Sequence, residues 1–324
     1  MSDLHYTPLG AGIYCIETGL YRHGLAACYL IREGDRVAFV DTGTTHTVPR
    51  LLAILAELGL SAASVDYVIP THVHLDHAGG SGELMRHCPN ATLVTHPKGT
   101  PHLIEPSRLA AGATEVYGAE AFSRDFGTLV PVPAERVIAA EDGHVVDLAG
   151  RPLVFVDTPG HANHHGCVWD ERSRGFFTGD TFGISYREFD TAAGPFLFAP
   201  TTPVAFDPEA WLQSLDKLMA HRPRAMYLTH YCRVEHPERL VDDLRHSIRA
   251  LADLALAHEG APAADREARL RASIGDLLAA DVRAHGCALD ETRVRKLLEV
   301  DTTLNAQGLE VWLRRRARRS AAPA

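Results

Sequence analysis

The chain has 324 residues, of which 46% are hydrophobic and 23% are charged, and its formal net charge at pH 7 is −9. This length accommodates one large domain, alone or with an appendage, and the hydrophobic fraction is ordinary for a globular protein. The acidic balance disfavours nucleic acid as a partner, because proteins that bind the phosphate backbone usually carry a basic face.

The N-terminal third of the chain is predicted to alternate between strands and helices. Five β-rich runs predict strands, at residues 12–18, 26–32, 36–41, 65–69 and 91–95. Residues 48–60 carry leucines at helical spacing, with Thr47 as a candidate N-cap and Pro49 in the first turn, which predicts an amphipathic helix. A short helix is predicted at residues 82–87. This order of elements is that of an α/β fold.

A second set of strands is predicted at residues 145–148, 153–157, 175–178 and 225–229. Between the two sets, residues 97–140 are rich in Gly, Pro and Ala and show no long periodicity. A segment of this length inside a domain is usually a functional covering loop or a partly helical insertion. We therefore interpret residues 97–140 as a lid or a dimer element.

The composition changes to Ala, Leu, Arg and Glu after residue 235. Apolar residues then recur every three or four positions, at Leu240, Leu244, Ile248, Leu251 and Leu254. Further helices are predicted at about 265–284 and 291–316. The chain thus divides into a domain at 1–235 and a helical appendage at 236–324. Leucine stripes this regular must be buried, either against the domain or against a second chain in a homodimer.

Four metal-capable side chains lie within six residues in the run Thr71-His72-Val73-His74-Leu75-Asp76-His77, directly after a predicted strand. In a turn that leaves a strand, alternate residues point the same way. His72 and His74 can therefore reach one metal while Asp76 and His77 turn toward a second. The pattern predicts a dinuclear metal site.

Three more polar residues follow apolar runs, as ligands at strand ends would. His161 follows the predicted strand that ends at Asp157, Asp180 follows residues 176–179, and His230 follows residues 226–229. Two divalent ions need about three protein ligands beyond the opening motif, including one oxygen bridge. These three residues complete such a set.

The motifs together resemble the metallo-β-lactamase superfamily, nearest in style to its glyoxalase-II-like hydrolase branch. The matching motifs are Thr71-His72-x-His74-x-Asp76-His77, Thr158-Pro159-Gly160-His161, Thr178-Gly179-Asp180 and Thr229-His230. They spread over about residues 10–235. The resemblance implies an α/β fold, a four-layer αββα sandwich with two metals at one edge between two sheets. Residues 236–324 would be a helical addition to that sandwich.

The resemblance also implies a role for each matching residue. The first metal would be held by His72, His74 and His161, and the second by Asp76, His77 and His230. Asp180 would bridge the two metals. Asp41, in its Asp-Thr-Gly motif, would fix the metal-binding loop through hydrogen bonds. His164 and His165 either support the His161 ligand or satisfy local backbone groups.

The implied reaction is hydrolysis of an ester, thioester or lactone by water. Two cations about 3.5–4 Å apart lower the pKa of a bridging water to near neutrality, which supplies a metal-bridging hydroxide. Asp76 would be the catalytic residue that orients this water and takes or passes its proton. Donors of mixed N and O character favour two zinc ions, with iron or manganese as alternatives.

The substrate is expected to be a small molecule. Glyoxalase II enzymes hold glutathione partly through a Lys-x-Tyr after the bridging aspartate, and residues 181–189 lack that pattern. Tyr186 and Tyr231 lie near the ligand motifs and are candidates for substrate contacts. Aromatic residues in such positions are, however, more often part of the core.

Two other classes of function remain open. One is an iron-dependent redox enzyme of the same fold, either persulfide dioxygenase-like or diiron; flavodiiron-like members have Glu at the position of His74. The other is a ligand-binding protein that retains the metal site. The nucleic-acid-processing branch is disfavoured, because its extra domains and basic clamp are missing.

Cysteine usage and the N-terminus bear on localisation. The six cysteines form no C-x-x-C pair, in a chain too large to need disulfide bonds, which predicts reduced and mostly buried thiols. Residues 1–5 show neither the basic nor the apolar region of a secretory signal. No apolar run reaches the about 18 residues of a membrane-spanning helix. We therefore expect a cytoplasmic protein with no membrane partner.

Overall fold

The computed structural model of the chain describes residues 5–202 and 205–321. Residues 1–4, part of the stretch on which the cytoplasmic expectation rests, lie outside the described residues. The chain divides into two compact units. The first comprises Met1–Asp157, His164–Gly179 and Arg222–Glu235, and the second comprises Thr158–Asn163, Asp180–His221 and His236–Ala324.

The first unit contains two β-sheets. The strands of the seven-stranded sheet lie side by side in chain order: β1 (Tyr6–Gly10), β2 (Ile13–Glu17), β3 (Ala27–Glu33), β4 (Arg36–Val40), β5 (Val65–Ile69), β6 (Thr92–Thr95) and β7 (Val137–Ala139). Its pairs are antiparallel from β1 to β4 and parallel from β4 to β7.

The second sheet of this unit has six strands: β8 (Val145–Leu148), β9 (Arg151–Asp157), β10 (Gly166–Asp170), β11 (Gly175–Gly179), β12 (Ala225–Leu228) and β13 (Cys232–Glu235). Their order across the sheet is β13-β12-β11-β10-β9-β8. Only β11 and β12 pair in parallel; the other neighbours are antiparallel.

The two sheets share one apolar core. Alternate side chains of a strand point to opposite faces, so β3 directs Tyr29 and Ile31 into the core between the sheets and Cys28 and Leu30 to the other side. In the shared core the ring of Tyr29 meets that of Phe177 edge to face, with centroids 5.2 Å apart. Burial on both faces explains why the strand is apolar from Ala27 to Ile31.

Helices cover the outer face of the first sheet. The helices of the first unit are α1 (Val48–Glu57), α2 (Leu75–Ala78), α3 (Ser81–His87), α4 (Thr100–Ile104), α5 (Ser107–Tyr117) and α6 (Ala119–Asp125). The apolar face of α1, with Leu51, Ile54 and Leu55, packs into the same core as Leu30 and Phe39 of the sheet. Residues 97–140 therefore contribute three short helices and the edge strand β7.

The second unit is helical. Its helices are α7 (Pro208–Ala220), α8 (Pro237–Ala257), α9 (Ala263–Ala284), α10 (Glu291–Leu297) and α11 (Glu299–Ala321). The stripe Leu240, Leu244, Ile248 and Leu251 is buried, and α8 lies beside α7, α9 and α11. The division at residue 235, and the role of residues 97–140 as a lid or a dimer element, stay predictions.

The predicted strands and helices are present, with ends that shift by a few residues, except that the helix predicted at about 291–316 is divided at Leu298 into α10 and α11. The strands that the sequence pattern did not predict are β1, β7, β10 and β13, and the helices are α2 and α7. The helices α4, α5 and α6 lie in residues 97–140, where a covering loop or a partly helical insertion was expected. Among the described residues, no helix combines the length and apolar character needed to cross a membrane.

Candidate metal centre

The His72–His77 motif forms the turn between β5 and α2. His74 has extended backbone angles and occupies the N-cap position of α2, so the chain passes from extended to helical backbone within the motif. The backbone of this turn is closely packed around Gly79. A Cβ at Gly79 would overlap the carbonyl oxygen of Leu75. Glycine at this position therefore allows a close backbone approach in the turn where the His77 ring lies 4.1 Å from that of His72.

Asp41 anchors the turns that carry the candidate ligands of the first unit. Its carboxylate is 1% exposed and directly follows β4. It accepts hydrogen bonds from the Thr71 backbone N at 2.8 Å, the Thr71 Oγ1 at 2.9 Å and the Thr229 Oγ1 at 2.7 Å. The His77 Nδ1 lies 2.8 Å from the same carboxylate. One buried charge thus fixes both the His72–His77 turn and the residue before His230.

Asp76, His77 and His230 form a donor cluster within the first unit, with ligand atoms that all lie within 4.8 Å of one another. The Asp76 Oδ2 is 3.2 Å from the His230 Nε2 and 3.6 Å from the His77 Nε2. The His230 Nδ1 is 2.7 Å from the Leu25 carbonyl oxygen, which can only accept. Nδ1 therefore carries the proton, and Nε2 keeps the lone pair that a metal requires. The cluster suits a divalent metal ion.

His72 and His74 pack against each other in the same unit, with ring centroids 4.4 Å apart. The His72 Nδ1 is 3.1 Å from the Thr71 Oγ1, so this ring is also held through its Nδ1. The buried His165 ring stacks on His72 at 4.7 Å. The ring of His164 lies 5.9 Å from that of His74. His165 therefore packs on a candidate ligand of this unit. Whether His164 and His165 support His161 or satisfy local backbone groups stays a prediction.

The second unit holds His161 and Asp180 side by side, with the His161 Nε2 3.3 Å from the Asp180 Oδ2. Both side chains are buried. The His161 Nδ1 is 2.8 Å from the Pro200 carbonyl oxygen and donates to it, which again turns Nε2 toward a carboxylate. His161 thus has the same ring orientation as His230.

Trp211 of α7 supports both of these residues. Its indole N–H donates to the Thr181 carbonyl oxygen at 2.7 Å, directly after Asp180, and its ring lies 5.6 Å from that of His161. A Cβ at Gly160 would overlap the Trp211 backbone, so the Thr-Pro-Gly-His turn needs its glycine. The sequence pattern did not predict a supporting role for Trp211. Its role depends on contacts with residues that are distant in the sequence.

The two tyrosines predicted as substrate contacts occupy different environments. Tyr186 is 2% exposed, and its hydroxyl donates to the Asp301 carboxylate at 3.0 Å. Tyr231 is partly buried against the core between the sheets, with its ring 6.3 Å from His23. Burial raises the pKa of the Tyr231 phenol, which is therefore neutral at pH 7. Contact of either residue with a substrate stays a prediction.

Comparison with known proteins identifies relatives. The family model described as the metallo-β-lactamase superfamily matches residues 22–230. A metallo-β-lactamase fold-containing protein of Sulfurisphaera tokodaii is 25% identical over 229 residues, 68% of this chain and 78% of that protein. The human acyl-coenzyme A thioesterase MBLAC2 is 27% identical over 193 residues. This match covers 53% of the chain and 64% of the human protein, so the chain spans less than two thirds of this relative.

A solved structure resembles the fold along most of its length. The metallo-β-lactamase family protein from Thermus thermophilus aligns with a TM-score of 0.62 at 21% identity, over 96% of this chain and 95% of that one. The predicted fold, an α/β metallo-β-lactamase sandwich with a C-terminal helical region, is confirmed.

Proposed function

The chain belongs to the metallo-β-lactamase superfamily, and we propose that it is a dinuclear metal-dependent hydrolase of a small-molecule ester, thioester or lactone. The observation that carries the proposal is the shared orientation of His77, His161 and His230. Each is held through its Nδ1 by an acceptor, and each turns its Nε2 toward an aspartate. This is the arrangement that a protein uses to orient histidine ligands.

We assign the ligands as follows. His72, His74 and His161 would hold one ion, and Asp76, His77 and His230 the other, with Asp180 as the bridge. Imidazole and carboxylate donors favour zinc, and iron or manganese also fit them. The donors that lie together within each unit support the assignment, and membership of the family supports their joint use.

When bound, the two ions would supply a Lewis acid for a carbonyl oxygen and a water of lowered pKa. Asp76 is the most accessible donor of the cluster in the first unit, while His77 is fully buried. An accessible carboxylate in this position can orient a water molecule and take its proton. Asp41 is fully engaged with Thr71, His77 and Thr229, so its role is to hold the ligands.

Thioesters are the first substrates to test. Besides the human protein, an atrochrysone carboxyl ACP thioesterase of Aspergillus fumigatus is 26% identical over 214 residues, 53% of that protein's length. Thioester carbonyls also suit an oxygen nucleophile, because the thiolate leaves readily.

The test starts from protein that a chelator has stripped of metal. Zinc, iron or manganese is restored in turn, and metal content and hydrolysis of thioesters, esters and lactones are measured. We expect about two ions per chain and hydrolysis that returns with them. Hydrolysis that is independent of metal would contradict the proposal. Oxygen consumption with a persulfide, given by the iron form without hydrolysis, would favour the redox alternative.

A further inference from the structure

Helix α11 of the second unit carries a buried asparagine. Asn305 is 1% exposed, although asparagine is usually a surface residue. Burial of an amide costs free energy unless its donor and acceptor groups are hydrogen-bonded, so a buried asparagine has specific partners. The partners of Asn305 lie on residues 199–202, which belong to the same unit.

Asn305 binds the backbone on both sides of Pro200. Its Oδ1 accepts from the Thr201 N at 2.7 Å, and its Nδ2 donates to the Ala199 carbonyl oxygen at 3.2 Å. The Thr201 Oγ1 also donates to the Asn305 carbonyl oxygen at 3.2 Å. One side of the amide faces an N–H and the other a carbonyl, which fixes the orientation of the amide. Asn305 is therefore matched to this backbone segment.

The packing of α11 against residues 199–202 is close. A Cβ at Gly308 would overlap the Thr201 carbonyl oxygen, so the contact requires glycine. Gly308 follows Asn305 by three positions, which places the two residues on one face of the helix. The Ala199 N in turn donates to the Ser247 Oγ of α8 at 3.0 Å. Two helices of the second unit therefore hold this segment in place.

The peptide group between Pro200 and Thr201 connects Asn305 to the candidate ligand His161. Its N–H donates to the Asn305 Oδ1, and its carbonyl oxygen accepts from the His161 Nδ1 at 2.8 Å. A peptide group is planar, and in the trans form its N–H and carbonyl point in opposite directions. Because the plane is rigid, a side chain that fixes the N–H also fixes the carbonyl. The hydrogen bond to the N–H further polarises the carbonyl and strengthens the bond that it accepts.

We propose that Asn305 is a positioning residue of the candidate metal centre. Through the Pro200–Thr201 peptide group, it holds the His161 ring with Nδ1 as the donor and Nε2 turned toward Asp180. The inference rests on the ligand role of His161 in the function proposed above. Helix α11 then supports a metal ligand as well as the apolar core of its unit. If Asn305 only satisfied a buried backbone segment, its loss would not change the His161 ring.

The first experiment examines the His161 ring in the full chain without metal, at pH about 8, where ordinary imidazoles are neutral. NMR spectra of isotope-labelled histidine show which ring nitrogen carries the proton, and His161→Gln identifies the His161 signal. The wild-type ring should carry the proton on Nδ1. In Asn305→Ala, the ratio of the Nδ1–H form to the Nε2–H form should fall about tenfold, the effect of weakening one hydrogen bond.

The second experiment restores zinc and measures the dissociation constant of each ion by competition with a chelator. Loss of a group that orients a histidine ligand weakens metal binding by about 10- to 100-fold. Asn305→Ala should therefore weaken one ion about tenfold, the same ion that His161→Gln releases, and leave the other within about twofold. Asn305→Asp keeps an acceptor for the Thr201 N and should restore most of the affinity.

Glu310→Gln is the matched control for a buried polar side chain of α11. The Glu310 carboxylate is 2% exposed and accepts hydrogen bonds from Arg266 and Arg314. The variant should leave the proton on the His161 Nδ1 and both zinc constants unchanged. Urea denaturation of every variant shows whether a change in metal binding merely follows a loss of stability.

A milder variant replaces Asn305→Ala if that protein fails to fold. Thr201→Val removes only the hydroxyl that donates to the Asn305 carbonyl oxygen, and it should shift the same two readouts about threefold. An unchanged His161 ring in the variant that is measured, or an equal change in Glu310→Gln, would overturn the inference.

The metal-free measurement separates this inference from the proposed function. A proton shift on His161 in Asn305→Ala, in a chain that binds no zinc, would support the positioning role and reject the two-metal hydrolase. Two zinc ions per wild-type chain, together with an unchanged His161 ring in Asn305→Ala, would support the metal centre and overturn the inference.

Discussion

The histidines His230 and His161 of the two units are oriented alike, but the turns that carry the candidate ligands are anchored by different means. In the first unit, the buried carboxylate of Asp41 holds both ligand-bearing turns through Thr71, His77 and Thr229. In the second unit, a backbone carbonyl holds His161, and the Trp211 indole holds the turn after Asp180. In the first unit, a single carboxylate therefore orients both turns. In the second unit, the ligands are held by side-chain packing and by hydrogen bonds to uncharged groups. Damage to the first anchor should therefore affect more ligands at once.

The largest effect is expected from Asp41→Ala. Several buried donors lose their acceptor, so the free energy of unfolding should fall by about 4 kcal/mol. Metal bound per chain should fall with it, since His77 loses its orientation. Chemical denaturation and elemental analysis measure the two effects. Asp35→Ala, at an exposed turn between β3 and β4, is the matched control. Full metal content in the Asp41 variant would show that the anchor is not needed.

A smaller effect is expected from Trp211→Phe. This change removes the hydrogen bond to Thr181 and part of the packing on His161, which should cost about 2 kcal/mol of unfolding free energy. Because the cluster of Asp76, His77 and His230 keeps its own anchor, metal content should fall toward about one ion per chain. Trp169→Phe, which removes an indole hydrogen bond to Glu171, serves as control. Equal metal loss in both variants would contradict a local role for Trp211.

Each unit contains a buried ion pair, and these pairs determine how the stability of each unit should depend on pH. In the first unit, burial acts to raise the pKa of Asp170, but the hydrogen bonds from Arg151 and Ser173 and the charge of Arg151 together outweigh it, so the pKa is lowered. In the second unit, the hydrogen bonds from Arg266 hold the pKa of Glu310 below its ordinary value. A lowered pKa in the folded state means that the charged form stabilises the fold above the unfolded pKa, about 4.3 for Glu.

The wild-type protein should therefore exceed Glu310→Gln in unfolding free energy by about 2 kcal/mol at pH 7. The difference should shrink as the pH falls below about 4 and through the folded pKa. Urea denaturation across this pH range is the measurement. Glu267→Gln, exposed on the same helix as Arg266, should show no such dependence. A difference that is constant with pH would mean that shape, and not charge, is what Glu310 contributes.

The smallest effect is expected from Tyr186→Phe. Only the hydroxyl that donates to Asp301 is removed, so the free energy of unfolding should fall by about 1 kcal/mol while metal content stays intact. A change in substrate preference would support the predicted contact with substrate. Kinetics on the best substrate that match the wild type would assign Tyr186 to packing.

The difference between the two anchors also explains what the sequence could reveal. The His72–His77 motif and Asp41 lie at the ends of apolar runs, so both the strands and the candidate ligands could be predicted from local pattern. Trp211 could not, because its significance comes from a hydrogen bond to a residue 30 positions away.

The strands that were not predicted from the sequence were missed for similar reasons. β7 has only three residues, too few for an alternating pattern. β1 contains Pro8 and ends in Gly10, both unfavourable in a strand, and its place at the sheet edge tolerates them. The buried hydrogen bond between Tyr186 and Asp301 joins residues 115 positions apart. Contacts of this range leave no signal in one sequence.

The central claim is that the candidate ligands form a two-metal centre, and anomalous diffraction at the zinc edge tests it most directly. Crystals of the zinc-reconstituted protein should show two strong peaks per chain. One peak should be bound by Asp76, His77 and His230, the other by His72, His74 and His161, and Asp180 should touch both. A single peak, or peaks on other side chains, would contradict the dinuclear assignment.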